Sequence, residues 1–150
     1  MSDPLQIRHE ARLENLPHFR EFIARACREA GMADEQRFGL ELAVDEVCAN
    51  VILHGYAGRE PGPLALTFHA DDGLAVVTVA DRGTPFSPDA APHPDLEADW
   101  NERKIGGLGV YLLKKLVDEY EYRSSAEAGN LLTLRQRLNP PPVGDIEGDE

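Results

Sequence analysis

The chain has 150 residues, and its 27 acidic side chains outnumber 15 basic ones for a formal net charge of −12. That length suits one domain, and 42% hydrophobic with 28% charged residues fits a globular chain rather than a disordered or fibrous one. The negative field disfavours direct nucleic-acid binding and anionic membrane surfaces, but a small anion responds to local donors more than to net charge.

The first alternating stretch, Leu5, Ile7, His9 and Ala11, predicts a short strand. Asn15-Leu16-Pro17 reads as a helix start, with Pro17 tolerated in the first turn. Phe19, Phe22, Ile23, Ala26 and Ala30 follow at helical spacing, and Gly31 supplies the stop. Asp34 is placed to cap a second helix over about 35–54, ended by Gly55. On it, Leu40, Val44, Val47 and Val51 form an apolar stripe.

Leu64, Leu66, Phe68 and Ala70 share one face of the next strand, and Asp72-Gly73 is a hairpin turn signal. The nearly continuous apolar run from Leu74 to Ala80 predicts burial on both faces or a place near the sheet centre. From Asp81 to about Ile105 periodicity is lost. Four prolines, many acids and the single Trp100 fill that stretch, which reads as a lid or binding loop.

Gly106-Gly107-Leu108-Gly109 opens a third helix with Val110, Leu112, Leu113, Leu116 and Val117 on its apolar face. Tyr120–Ser125 and Leu131–Leu138 read as a final hairpin around Glu127-Ala128-Gly129-Asn130. Residues 1–139 form the predicted domain, and 140–150, with three prolines, four acids and no base, a disordered acidic tail. The element order predicts an α+β two-layer sandwich, a mostly antiparallel mixed sheet with helices on one face.

Cys27 and Cys48 form no CxxC and no zinc ligand set, so they read as reduced, buried thiols. No leader-like start and no apolar run near about 18–20 residues is present, which predicts a cytoplasmic protein without a membrane span.

Three clusters carry chemistry. Glu46 and Asn50 are one helical turn apart, on a face shared with His54 and with Gly39 and Ala43, which are small enough to leave room. A carboxylate beside an amide suits a hard cation, or a proton acceptor next to one; the plainer reading is a solvated polar pair. Asp81 ends an apolar strand, where a carboxylate needs a donor such as an exocyclic amine. Gly83 permits close approach of a flat ligand or a sharp turn. At Gly106, Gly107 and Gly109 a helix start exposes backbone N–H groups to phosphate, with Arg103 and Lys104 just upstream. This is neither a GxxxxGK[ST] loop nor a GxGxxG fingerprint. His9, His18, His54, His69 and His93 show no metal spacing, and no GxSxG elbow is present.

Taken in order, an E-x-x-x-N helix, a strand ending in D-x-G, a lid, and G-x-G opening a helix resemble the GHKL (Bergerat) ATP-binding fold. The runs Asp45-Glu46-Val47-Cys48-Ala49-Asn50 and His54-Gly55-Tyr56, and Gly107-Leu108-Gly109 with Leu116-Val117-Asp118-Glu119, are similar to anti-sigma factor serine kinases of the RsbW and SpoIIAB type. The resemblance spans about residues 5–138.

It implies ATP and Mg²⁺ as cofactors. Asn50 would ligate Mg²⁺, and Glu46 would orient or deprotonate the attacking hydroxyl. Asp81 would bond the adenine amine, with Gly83 giving room beside the ring. Gly106, Gly107 and Gly109 would meet phosphate, with Arg103 or Lys104 closing over it. The sequence departs from the pattern at Thr84-Pro85-Phe86-Ser87-Pro88, where many relatives of the wider fold carry a second glycine, and at Lys114-Lys115.

The implied activity is protein-serine/threonine kinase and anti-sigma factor. The implied partners are a STAS-domain antagonist, a sigma factor and a second copy of the chain, joined through the N-terminal strand and helix. A histidine kinase would also need a phosphorylatable histidine on a separate helix, for which this length leaves no room. The alternatives are a non-catalytic ATP-binding or partner-sequestering module, and a stand-alone ATPase.

Overall fold

A computed structural model describes residues 4–85, 113 and 115–140. Among these residues five strands form one sheet: β1 (Leu5–Glu10), β2 (Pro63–Asp71), β3 (Leu74–Asp81), β4 (Glu119–Ser125) and β5 (Gly129–Arg137). Their spatial order is β1-β2-β3-β5-β4, and all four pairings are antiparallel. With the helices α1 (Leu16–Glu29) and α2 (Asp34–Asn50), this is the α+β architecture that the element order predicts, although among the described residues the sheet is antiparallel throughout rather than mixed.

Pro17 lies in the first turn of α1, where its missing N–H has no helical partner to lose. Ala30 closes the helix, and Gly31 reverses the chain at φ +74°. Asp34 does not cap α2. Ala33 holds the cap position with extended backbone, and Asp34 is the first helical residue, 3.5 Å from Arg37. Its carboxylate still complements the positive end of the helix.

The Asp72-Gly73 turn has positive φ at both residues, 56° and 77°, the geometry of a two-residue hairpin matched to strand twist. The register follows: Leu74 faces Asp71 and Thr78 faces Thr67, whose hydroxyls hydrogen-bond across the pair. β3 is central in the sheet, but the apolar run is not buried on both faces. Ala75, Val77 and Val79 are buried, whereas Val76, Thr78 and Ala80 remain partly exposed. Among the described residues helices cover one face, and β-branched Val and Thr are accepted on the other.

Leu64, Leu66, Phe68, Val77, Val79, Leu132 and Leu134 meet Phe19, Ile23, Leu40 and Val44 in one core. Cys27 and Cys48 are free and fully buried there. Burial pushes the Cys27 thiol up to about 12 and moves Cys48 the same way, so both behave as small apolar side chains. Among the described residues no helix is long and apolar enough to cross a membrane. The stretch from Phe86, with Trp100, Arg103, Lys104, Gly106, Gly107 and Gly109, lies outside the described residues, as does 141–150 of the acidic tail.

Candidate functional site

Glu46 and Asn50 sit one turn apart near the end of α2, both half-buried. The Glu46 carboxyl lies above the usual glutamate range. Burial is the main cause, the neighbouring Asp45 charge adds to it, and Arg20 opposes it. Arg20 is itself held by Asp45, donating from Nε and Nη2 at 2.5 and 3.3 Å. Among the described residues Glu46 makes no ion pair. A half-buried carboxylate with raised proton affinity has the property of a general base.

The room expected beside Gly39 and Ala43 is filled. Ala43 is wholly buried, and a Cβ on Gly39 would lie 2.9 Å from the Leu116 carbonyl oxygen. Leu113, Lys115 and Leu116 are helical, and their segment packs on this small-residue face. Gln136 fastens the segment: its Nε2 donates to Leu116 O at 2.9 Å, and its Oε1 accepts from the Asp118 N–H at 3.0 Å. The pair Glu46 and Asn50 therefore lies beyond a packed stretch of α2, nearer its C-terminal end.

The second helix stops being α-helical at Asn50. Val51–Gly55 continues the helix to the predicted end at Gly55, but as a π turn rather than in α geometry. A π turn widens the backbone, so the 100° per residue arithmetic that placed His54 beside Glu46 no longer applies past Asn50. His54 is exposed.

Gly55 is the junction between this turn and the sheet. Its carbonyl oxygen accepts the Thr84 N–H at 2.7 Å. A Cβ on Gly83 would stand 2.5 Å from the same oxygen and 2.7 Å from the Gly55 carbonyl carbon. The close approach that glycine permits at 83 is thus to the backbone that follows α2. Tyr56 adds a second clamp: its hydroxyl accepts the Arg82 N–H and donates to Pro63 O, each at 2.7 Å. Gly83→Ala is expected to lower stability by about 1–3 kcal/mol, since neither backbone can yield easily. Chemical denaturation checks it, and an unchanged midpoint contradicts the contact.

Asp81 closes β3, half-buried. Its Oδ1 accepts the Gly83 N–H at 2.7 Å, an Asx-type turn. The same Oδ1 accepts from Asn130 Nδ2 at 2.9 Å. Asn130 lies directly opposite Asp81 in the β3–β5 register and is buried. The sequence marks Gly129-Asn130 only as part of a hairpin, because nothing local announces which residue of β5 will face Asp81.

The structure thus joins Asp81 and Gly83 in one turn and ties that turn to the end of the Glu46–Asn50 helix. Among the described residues no three His, Cys, Asp or Glu side chains cluster as a metal cage. Asn50 offers one hard oxygen, with the Glu46 carboxylate a turn away. Such a sparse donor set fits a magnesium ion that arrives with a nucleotide and keeps phosphate and water ligands.

Residues 9–136 match the family model described as a histidine kinase-like ATPase domain. The chain is 28% identical to a serine-protein kinase RsbW from Bacillus pumilus over 144 residues, covering 91% of this chain and 87% of that one. It is 25% identical to an anti-sigma F factor from Heyndrickxia coagulans, covering 92% of this chain and 95% of that one. Among solved structures, the RsbU and RsbW domains of a Mycobacterium tuberculosis protein superpose with a TM-score of 0.65 at 22% identity. That match covers 91% of this chain and 32% of that one, and it supports the fold alone.

Proposed function

Because the chain belongs to the histidine kinase-like ATPase domain family, we propose that it binds ATP and transfers the γ-phosphoryl group to a serine or threonine of a partner protein. The observation that carries this reading is the junction at Gly55, which ties the Asp81–Gly83 turn to the helix bearing Glu46 and Asn50. An adenine-sized ring held at Asp81 would leave its phosphates within the same wall as the carboxylate and amide of α2.

In this reading Asp81 accepts a hydrogen bond from the adenine 6-amino group. Glu46 accepts or orients the proton of the attacking hydroxyl, which its raised proton affinity favours. Asn50 would hold the magnesium ion through its side-chain oxygen; the ion supplies charge neutralisation on the phosphates. Gly106, Gly107 and Gly109 would offer N–H groups to phosphate, with Arg103 or Lys104 nearby. The acceptor is a STAS-domain anti-sigma antagonist, and the chain in its other state holds a sigma factor. The names of the relatives, a serine-protein kinase and an anti-sigma factor, support this reading, as do the motif runs around Glu46 and Gly107.

The test is transfer of labelled γ-phosphate from Mg²⁺·ATP to a candidate STAS protein. Label on a serine or threonine of the acceptor supports the kinase. Saturable ATP binding with no transfer to any acceptor favours a module that acts by sequestration. Release of phosphate without an acceptor favours a stand-alone ATPase.

The proposal includes a homodimer through β1 and α1. β1 stands at one end of the sheet order, and Leu5 on it is 45% exposed; an edge strand offers unpaired backbone groups to a partner. Sedimentation at micromolar concentration is expected to show twice the chain mass. A single monomer species under those conditions contradicts it.

A further inference from the structure

We propose that Asn130 is the positioning residue that sets nucleobase choice, by fixing the orientation of the Asp81 carboxylate so that one oxygen is left to the ligand; this rests on the reading of Asp81 as the adenine acceptor. The Asn130 amide has every strong bond assigned. Its Nδ2 gives one hydrogen to Asp81 Oδ1 and the other to Gly83 O, both at 2.9 Å. Its Oδ1 accepts from Ser124 Oγ at 2.6 Å. Turning the amide over would set its oxygen against two acceptors, so only one orientation satisfies the group. The side chain is 4% exposed and stands where β5 faces β3, on rigid elements rather than a loop.

The consequence falls on Asp81. Oδ1 already receives two N–H groups, from Gly83 and Asn130. Among the described residues no hydrogen bond reaches Oδ2. The carboxylate is held against rotation from two sides, and Oδ2 is left to accept. A pure acceptor rewards a ring that presents an amine and rejects one that presents a carbonyl, because two acceptors then face each other without a proton. A purine with a 6-amino group satisfies this site, and the 6-oxo purine does not. A freely turning carboxylate would distinguish the two less, since it could swing away from the carbonyl.

Affinities of ATP and inosine triphosphate for the full chain, measured by titration calorimetry with Mg²⁺, test the idea. Wild type is expected to favour ATP strongly. Asn130→Ala is expected to reduce the ATP-to-inosine-triphosphate ratio by about tenfold, through loss of ATP affinity. Asn130→Asp keeps the shape but turns an acceptor towards Asp81 Oδ1 and Gly83 O, and is expected to reduce the ratio further. Ser124→Ala leaves Asn130 in place, loosens its amide from an exposed position, and is expected to lower the ratio about threefold.

A purely structural role for Asn130 would weaken both nucleotides equally and leave the ratio unchanged in all three variants; that result overturns the proposal. If Asn130→Ala and Asn130→Asp fail to fold, the Ser124→Ala ratio decides alone. Wild type that binds both nucleotides equally overturns the adenine reading of Asp81 itself, and this inference with it.

Discussion

Glu46→Gln is expected to lower phosphoryl transfer to a protein serine or threonine by about 100-fold to 10,000-fold. ATP affinity should stay within a few-fold of wild type, because the glutamine keeps the side chain's size and a hydrogen-bonding oxygen. What disappears is the ability to accept a proton. A second signature follows from the direction of the Glu46 shift. Burial and Asp45 raise its proton affinity, so the ionised base should accumulate only above the usual glutamate range. The transfer rate should therefore rise with pH along a limb displaced upward from that range. Asp45→Asn removes a like charge and frees Arg20, which is paired with Asp45. Both changes favour ionised Glu46, so the limb should move to lower pH. Rapid-quench measurement of single-turnover transfer across pH reads both effects. A Glu46→Gln enzyme with wild-type turnover would exclude Glu46 as the base.

The same linkage sets a stability effect of known sign. A carboxyl whose folded proton affinity is raised is more easily held in its protonated form. Its contribution is fully present below the unfolded value and is lost as pH rises through the folded one. Glu46→Gln should then gain slightly relative to wild type above that window and show no gain below it.

Asp81→Asn is expected to weaken ATP binding by about 100-fold, the worth of a hydrogen bond to a charged acceptor together with a donor set against the 6-amino group. The amide oxygen of the substituted side chain can still accept from Gly83 N–H and Asn130 Nδ2, which now hold Oδ1. Its NH₂ then replaces Oδ2, so donor faces donor. Thermal melting in the absence of nucleotide should be nearly unchanged for the same reason. Calorimetric titration with Mg²⁺·ATP checks the first claim. Full retention of affinity would remove Asp81 from the site.

The chain writes its elements in period and punctuation. Alternation in Leu64, Leu66, Phe68 and Ala70 marks a strand with one buried face; the first three are buried, and Ala70, next to the hairpin turn, is only partly so. Asp72-Gly73 announces a turn whose two positive φ angles few other pairs tolerate. The misses have a common cause. Capping by Asp34, α geometry carried on to His54 and room beside Gly39 are inferences from an isolated helix with ideal geometry. In the folded chain Ala33 takes the cap, the backbone widens at Val51, and the segment containing Leu116 occupies the space. The last is a tertiary contact overriding a local rule; the first two are departures of the backbone from ideal helix geometry.

By itself the sequence determined the α+β class and the strand and helix order, and it nominated the acidic, amide and glycine residues as candidates for chemistry, because these depend on local propensity, periodicity and residue type. Only the tertiary structure decided that Gly83 lies against Gly55, that Tyr56 bridges Arg82 and Pro63, and that Asn130 faces Asp81. These depend on strand register and on backbone and side-chain contacts between segments up to 49 residues apart in the chain, and no local pattern encodes register between strands that a long connection separates.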